Sequence, residues 1–295
     1  MVCLSTVWFG ARLRSAGEQV RSSAALGFEG LELSRESPIR DFEDLAPALR
    51  ETGVRLSAIQ AGCRDGEGAE ADLSSTNDDR RSAAVEDLLG HVSLAVSAGC
   101  SLVTIPGGVV GGPHLQDRAR RLHGLLERRQ PPETLKEVKE EILLEAARDR
   151  ERHLDRLCRS LHAIFARAPS IRLALETPAD PHGVLTPEAG RMVLDDLRGR
   201  LLGYAHDTGR AEILASLGGP PAADWGERLA DRMAAVRLHD VVEFQGGYPP
   251  GTGRVDFSLV ASYTPRQALR ILVTDARFGR EDLLEGRLFL RKHRL

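Results

Sequence analysis

Short apolar runs recur along this chain, each followed by a helical pattern and a turn residue. They fall at 2–9, 28–33, 54–60, 101–106, 171–176, 201–206, 234–239 and 270–275. Apolar runs of this kind alternating with helices predict a parallel sheet, because parallel neighbours need a helical crossover between them. Eight such units predict an α/β fold: one (β/α)8 TIM barrel over residues 1–295, closed so that no sheet edge is left open. An open doubly wound sheet is the alternative. The glycine fingerprint of its dinucleotide-binding form is absent from the chain.

The helices carry their own punctuation. Ser15-Ala16-Gly17-Glu18 reads as a capping box opening the first helix, and Gly27 ends it. Asp41 is expected to start the second, which stops at Gly53; Asp78 or Asp79 starts the third. Val85, Leu88, Leu89, Val92, Ala95 and Val96 then follow helical spacing, predicting one face packed on the barrel. The connection from Gly107 to Ser170 is the long one, between the fourth and fifth strands. Gln130-Pro131-Pro132 breaks a short helix from a long one, which Thr134 would cap and whose stripe is Leu135, Val138, Ile142, Leu154, Leu157, Leu161 and Ile164. Its extra length leaves a lid or a homodimer contact open.

Composition narrows the partners. The 295 residues are 42% apolar and 28% charged, the balance of a folded globular protein. A net charge of −3 offers no electrostatic footprint for nucleic acid or an anionic membrane, so the expected partner is a small molecule. Cys3, Cys63, Cys100 and Cys158 are scattered and read as reduced thiols. With no apolar stretch of membrane-spanning length and no basic, apolar leader, the expected location is the cytoplasm.

In a barrel of this type the chemistry sits at the carboxyl ends of the strands. That rule selects Glu32, Glu176, Asp207, His239, Asp240 and Asp275. A carboxylate ending a run as apolar as Ile171-Arg172-Leu173-Ala174-Leu175 needs a cation, a metal or a shared proton. Trp8 is a candidate pocket wall and His182 a candidate substrate contact from a loop at the mouth; His114 is placed in another such loop. Pro106-Gly107-Gly108-Val109-Val110-Gly111-Gly112 and Pro249-Pro250-Gly251-Thr252-Gly253 follow strands and could present backbone N–H groups to a ligand, phosphate included; each is otherwise a tight loop. Asp256 reads as a helix cap. His206 has the opposite parity to Asp207 and is expected to pack behind the barrel.

Five segments occur in order: Gly27-Phe28-Glu29-Gly30-Leu31-Glu32-Leu33, Leu173-Ala174-Leu175-Glu176-Thr177, His206-Asp207-Thr208-Gly209-Arg210, Arg237-Leu238-His239-Asp240 and Pro250-Gly251-Thr252-Gly253-Arg254-Val255-Asp256-Phe257. Together they resemble the sugar phosphate isomerase/epimerase superfamily of xylose-isomerase-like TIM barrels, over nearly the whole chain. The resemblance implies a divalent ion held by a Glu after the fifth strand, an Asp after the sixth, a His on the seventh and a Glu on the eighth. Glu176 and Asp207 match the first two. Arg237 stands where the seventh strand usually carries His, Asp275 where the eighth carries Glu, and Arg210 where a His often follows the sixth-strand Asp.

Two readings of the site follow. In one, His239, on the same side of its strand as Arg237, joins Glu176, Asp207 and Asp275 around Mn²⁺, Mg²⁺ or Co²⁺. In the other no metal is held, and Arg210 and Arg237 neutralise the carboxylates or bind an anionic substrate. The resemblance implies an isomerase or epimerase of a small polyhydroxylated carbonyl compound, with Glu176 and Asp275 exchanging the proton and Glu32, Arg237 and His239 orienting oxygens. A related dehydratase or lyase, or a relative that binds a small anion without turnover, are the alternatives. Glu176→Gln, which makes no cavity, is expected to leave stability nearly unchanged.

Overall fold

The computed structural model describes residues 2–13, 15–35, 42–62, 72–128 and 132–295. The apolar runs form β1 (Val2–Ser5), β2 (Gly30–Leu33), β3 (Arg55–Gln60), β4 (Val103–Ile105), β5 (Leu173–Glu176), β6 (Leu202–Asp207) and β7 (Met233–Leu238), then, beyond a short antiparallel hairpin of β8 (Asp240–Val242) and β9 (Gln245–Tyr248), β10 (Leu269–Leu272). The parallel strands close in the order β1-β10-β7-β6-β5-β4-β3-β2, a (β/α)8 barrel. Small and medium side chains (Cys3, Ala58, Ala174, Ala205, Ala235, Ile271 and Val273) fill its interior, as the narrow bore of eight strands requires.

Several strands are shorter than their apolar runs. β1 stops at Ser5, and Trp8 and Phe9 lie in a 3-10 turn over Thr6–Arg12. β10 stops three residues before Asp275. The hairpin after β7 has no counterpart in the expected pattern, because its glycine-rich second strand lacks an apolar alternation.

The helix signals largely hold. Ser15 caps α1 (Ala16–Ala25) by accepting the Glu18 N–H at 3.2 Å. α2 (Leu45–Thr52) begins after Asp44 and ends on Gly53, whose φ of +71° only glycine adopts cheaply. Asp41, expected at that start, lies outside the described residues. α3 (Asp78–Ser97) starts at Asp78 as expected, with Asn77 as its cap, while Val96, expected on its packed face, is 69% exposed: the buried stripe is Ala84, Val85, Leu88, Val92 and Ala95. His114 belongs to α4 (Pro113–Glu127), not to a loop.

The long connection is α4 followed by α5 (Pro132–Arg167), a 36-residue helix that begins before Thr134. Val138, Ile142, Leu154, Leu157, Leu161 and Ile164 are buried along it as the spacing predicts. It also braces the mouth. His153 Nε2 accepts from Gly111 N–H at 3.2 Å and Nδ1 lies 2.9 Å from the Ser74 carbonyl, while Ser160 donates to the Leu73 carbonyl at 2.7 Å. No helix among the described residues is long and apolar enough to cross a membrane. Cys3, Cys100 and Cys158 are free thiols; Cys63 lies outside the described residues.

His206 sits outside the barrel wall, as its parity predicts. Its Nδ1 meets Tyr204 Oη and its Nε2 meets Tyr263 Oη, each at 3.0 Å. Burial lowers its pKa from the ordinary 6.5 to about 4, against the pull of Asp207. The unfolded chain therefore takes up this proton first on acidification. The contribution of the neutral imidazole is present above pH 6.5 and is lost as pH falls towards 4, amounting to about 3 kcal/mol. Urea unfolding across that range should show the loss, and His206→Asn should flatten that part of the profile. An unchanged slope in the variant would refute the assignment.

Candidate active site

The carboxyl ends of β2, β5, β6 and β7 bring three carboxylates and three guanidinium groups together. Glu176, at the last position of β5, is fully buried: Oε1 accepts from Thr104 Oγ1 at 2.8 Å, and Oε2 from Arg210 at 2.9 Å with Arg35 at 3.1 Å. Burial alone would raise its pKa. The charges of Arg35, Arg210 and Arg237, with the Thr104 bond, overcome that and hold it at about 2.

Asp207 ends β6 and caps α7 (Thr208–Ser216). Its Oδ1 accepts the Arg210 N–H at 2.9 Å and meets His239 Nε2 at 2.8 Å. Its Oδ2 lies 3.4 Å from Arg237 Nε and 3.7 Å from Arg210 Nε. Burial opposes ionisation here too, yet His239, Arg210 and Arg237 hold the carboxyl far below its usual range. Arg237 crosses the barrel from β7 to Glu32 on β2, Nη1 to Oε1 at 3.0 Å, and both side chains are at most 2% exposed.

His239 follows β7, and its two nitrogens are both engaged. The Gly247 N–H donates to Nδ1 at 2.8 Å, so the proton sits on Nε2 and points at Asp207. Gly209, of the His-Asp-Thr-Gly-Arg segment, is required beneath it: a Cβ there would overlap the imidazole. Gly247 has φ +75°, and a Cβ on it would lie 3.0 Å from the Asp275 Cβ.

Asp275 stands apart from this cluster. Its side chain is 46% exposed, its Oδ1 accepts the Arg277 N–H at 2.8 Å, and its own N–H donates to the Gly247 carbonyl. β10 ends at Leu272, so Asp275 sits in the loop that follows the strand, not at the strand's last position. Trp8 is buried, and its Nε1 donates to the Phe278 carbonyl at 3.1 Å, tying the first loop of the mouth to the last. His182 is buried beside the fourth loop, where its carbonyl accepts the Val110 N–H.

Both glycine-rich loops spend backbone N–H groups on the protein itself. Val109 donates to Asp72, Val110 to the His182 carbonyl and Gly111 to His153. Asp240 accepts from Gly251 and Gly253 on Oδ2 and from Val241 and Val255 on Oδ1, all within 3.0 Å. A carboxylate of this chain thus occupies the cradle that the second loop could have offered a phosphate, and the segment is the tight loop of the alternative reading. Asp240→Ala should leave four N–H groups unpaired and cost roughly 3 kcal/mol or more. Amide exchange in 249–255 should rise sharply. Protection as in the unmodified protein would rule out this role for Asp240.

Sequence reasoning missed four residues. Arg35 follows β2 and joins Glu176. Thr104 supports Glu176 from β4. Ser5, in register with Glu32, and Gln60, in register with Thr104, share the inward face of their strands. Ser5 Oγ and Gln60 Nε2 are buried with no hydrogen-bond partner among the described residues. Strand parity was the signal for Thr104, Ser5 and Gln60; for Arg35 it was position just beyond a strand end.

The expected metal set of Glu176, Asp207, His239 and Asp275 is not assembled. Both Glu176 oxygens are taken, Asp207 is a helix cap bonded to His239, and Asp275 faces its own loop. Neither His239 nitrogen offers a lone pair without breaking a bond. No group of three or more His, Cys, Asp or Glu suited to a metal occurs among the described residues. Three guanidinium charges balance Glu32, Glu176 and Asp207, so a dication would enter a site already neutral. The donor set does not fit a divalent ion.

Residues 20–262 match the model of the xylose isomerase-like TIM barrel family, and the chain belongs to that family. A search of curated proteins finds no match. Among solved structures, it is similar to a D-tagatose 3-epimerase-like protein (17% identity, TM-score 0.68, covering 99% of this chain and 96% of that one). It is also similar to an L-ribulose 3-epimerase (15%, 0.70, 100% and 96%) and to the 3-keto-D-glucoside 4-epimerase of E. coli in its apo form (15%, 0.68, 99% and 98%). At these identities the likeness is one of fold.

Proposed function

We propose that this protein is an isomerase or epimerase that moves a proton next to the carbonyl of a small polyhydroxylated compound. One observation carries the reading: Ser5 Oγ and Gln60 Nε2, buried and without a hydrogen-bond partner among the described residues, face the bore alongside guanidinium groups already aimed at buried oxygens. Neutral donors suit hydroxyls, and guanidinium N–H groups suit a carbonyl oxygen that gains charge as the neighbouring carbon loses its proton. Glu176 takes the proton, and Asp275 returns one on the other face after turning from the Arg277 N–H. Glu32 and His239 orient hydroxyls; Trp8 and His182 shape the wall around them. The epimerases of the same fold support this class of substrate. The clamped state of Glu176 favours a second reading, a relative that binds a small anion without turnover.

The test is a panel of unphosphorylated ketopentoses, ketohexoses and a 3-ketoglucoside incubated with the protein in D₂O and followed by NMR. Deuterium should enter at the carbon beside the carbonyl of at least one compound, with an isomer accumulating. Binding of a panel member without exchange would favour the second reading.

A further inference from the structure

Resting on that proton-transfer reading, we propose that Arg35, Arg210 and Arg237 take the place of a divalent ion: the carbonyl chemistry of this barrel runs on a fixed guanidinium centre and needs no metal. The geometry is specific to this chain. Arg237 comes from the strand position beside Asp207 and spans the bore to Glu32, with Nε at 3.4 Å and Nη1 at 3.0 Å from the two carboxylates. Arg210 comes from the first turn of α7 and lies against both Glu176 and Asp207. Arg35 closes over Glu176 from the rim, anchored on the Ala61 carbonyl at 3.0 Å. Such a cluster cannot lose its protons at any working pH. Each guanidinium is planar and can donate a pair of parallel N–H bonds to adjacent oxygens.

The step balances without a redox partner. The C–H bond beside the carbonyl breaks, its proton goes to Glu176, and its electron pair moves to the carbonyl oxygen. The resulting enediolate is held by guanidinium N–H groups; a proton returns to carbon from Asp275, and the proton on Glu176 passes back to Asp275 through solvent, restoring both carboxyl groups. Substrate oxygens competing for Arg35 and Arg210 release Glu176 from its ion pairs, so the base is unmasked only when the site is filled.

The experiment uses the full chain, stripped with a chelator. Titration with MnCl₂ by calorimetry and electron paramagnetic resonance should give no binding tighter than about 100 µM, and the melting temperature should not move with Mn²⁺. Stoichiometric Mn²⁺ binding below that concentration overturns the proposal. Oxalate, which carries the paired oxygens of an enediolate, is the second probe. It should bind the metal-free protein and bind at least ~10-fold more weakly to Arg210→Gln, through the lost charge-assisted bonds. Arg35→Gln, altered at the rim, serves if Arg210→Gln melts early. Oxalate binding that requires added Mn²⁺, or that is indifferent to both substitutions, or no oxalate binding at all, counts against the guanidinium centre. Neither titration depends on turnover, so a failed ketose panel sinks the proton-transfer reading and leaves this result standing. Deuterium exchange that starts only with added Mn²⁺ does the reverse.

Discussion

Arg237→Leu is expected to destabilise the protein by about 3–5 kcal/mol, lowering its melting temperature by roughly 10 °C. The guanidinium is 2% exposed and lies between Glu32 and Asp207, also at most 2% exposed. Leucine fills much of the volume but removes the guanidinium that faces the buried Glu32 carboxylate at 3.0 Å. Asp207 suffers less, because His239 and Arg210 still face it. The double change Arg237→Met with Glu32→Met removes both charges of the pair and should recover most of the loss, since well-packed apolar side chains replace a buried ion pair at little cost. Denaturant unfolding of the three proteins checks this. A single variant within about 1 kcal/mol of the unmodified protein, or a double variant no better than the single, would show that the pair is not what holds this part of the bore.

Glu176→Gln should lower the exchange of solvent deuterium into an active ketose by at least ~10²-fold, because the amide keeps the shape and loses the base. Shape alone predicts little change in stability. The structure revises that expectation: Arg35 and Arg210 both lean on the buried carboxylate, so the amide takes a counter-charge from each and leaves Arg210 with Asp207. The loss should be about 1–3 kcal/mol, read by denaturant unfolding. It should be smaller in the Arg35→Gln background, which already has one cation fewer. Exchange that persists at the unmodified rate in Glu176→Gln would remove Glu176 from the proton path altogether.

Most of the barrel was legible along the chain. An apolar run ending in Glu176 and another followed by Asp207 locate the mouth, and parity separates the inward Asp207 from the outward His206. The ends of elements were less so. Val273 and Thr274 continue an apolar run, yet the strand stops at Leu272 because strand pairing, not hydropathy, decides where a ladder ends. Asp275, expected at a strand end, therefore lies in the loop beyond it, bonded to the Arg277 N–H. The hairpin that caps His239 left no trace, since Gln245-Gly246-Gly247-Tyr248 carries no alternation.

By itself, then, the sequence determined the number and order of βα units, the inward parity of Glu32, Glu176, Asp207 and Arg237, and the departure from histidine at Arg210 and Arg237. Those are one-dimensional properties: period, side and residue type. Which cation meets which carboxylate was decided only by closure of the barrel. Closure brings Arg237 within 3.0 Å of Glu32, 205 residues away in sequence, and lays Arg35 and Arg210 on one oxygen of Glu176. A carboxylate can be satisfied by a metal, a proton or a guanidinium, and the choice depends on distances across the bore that no local pattern encodes.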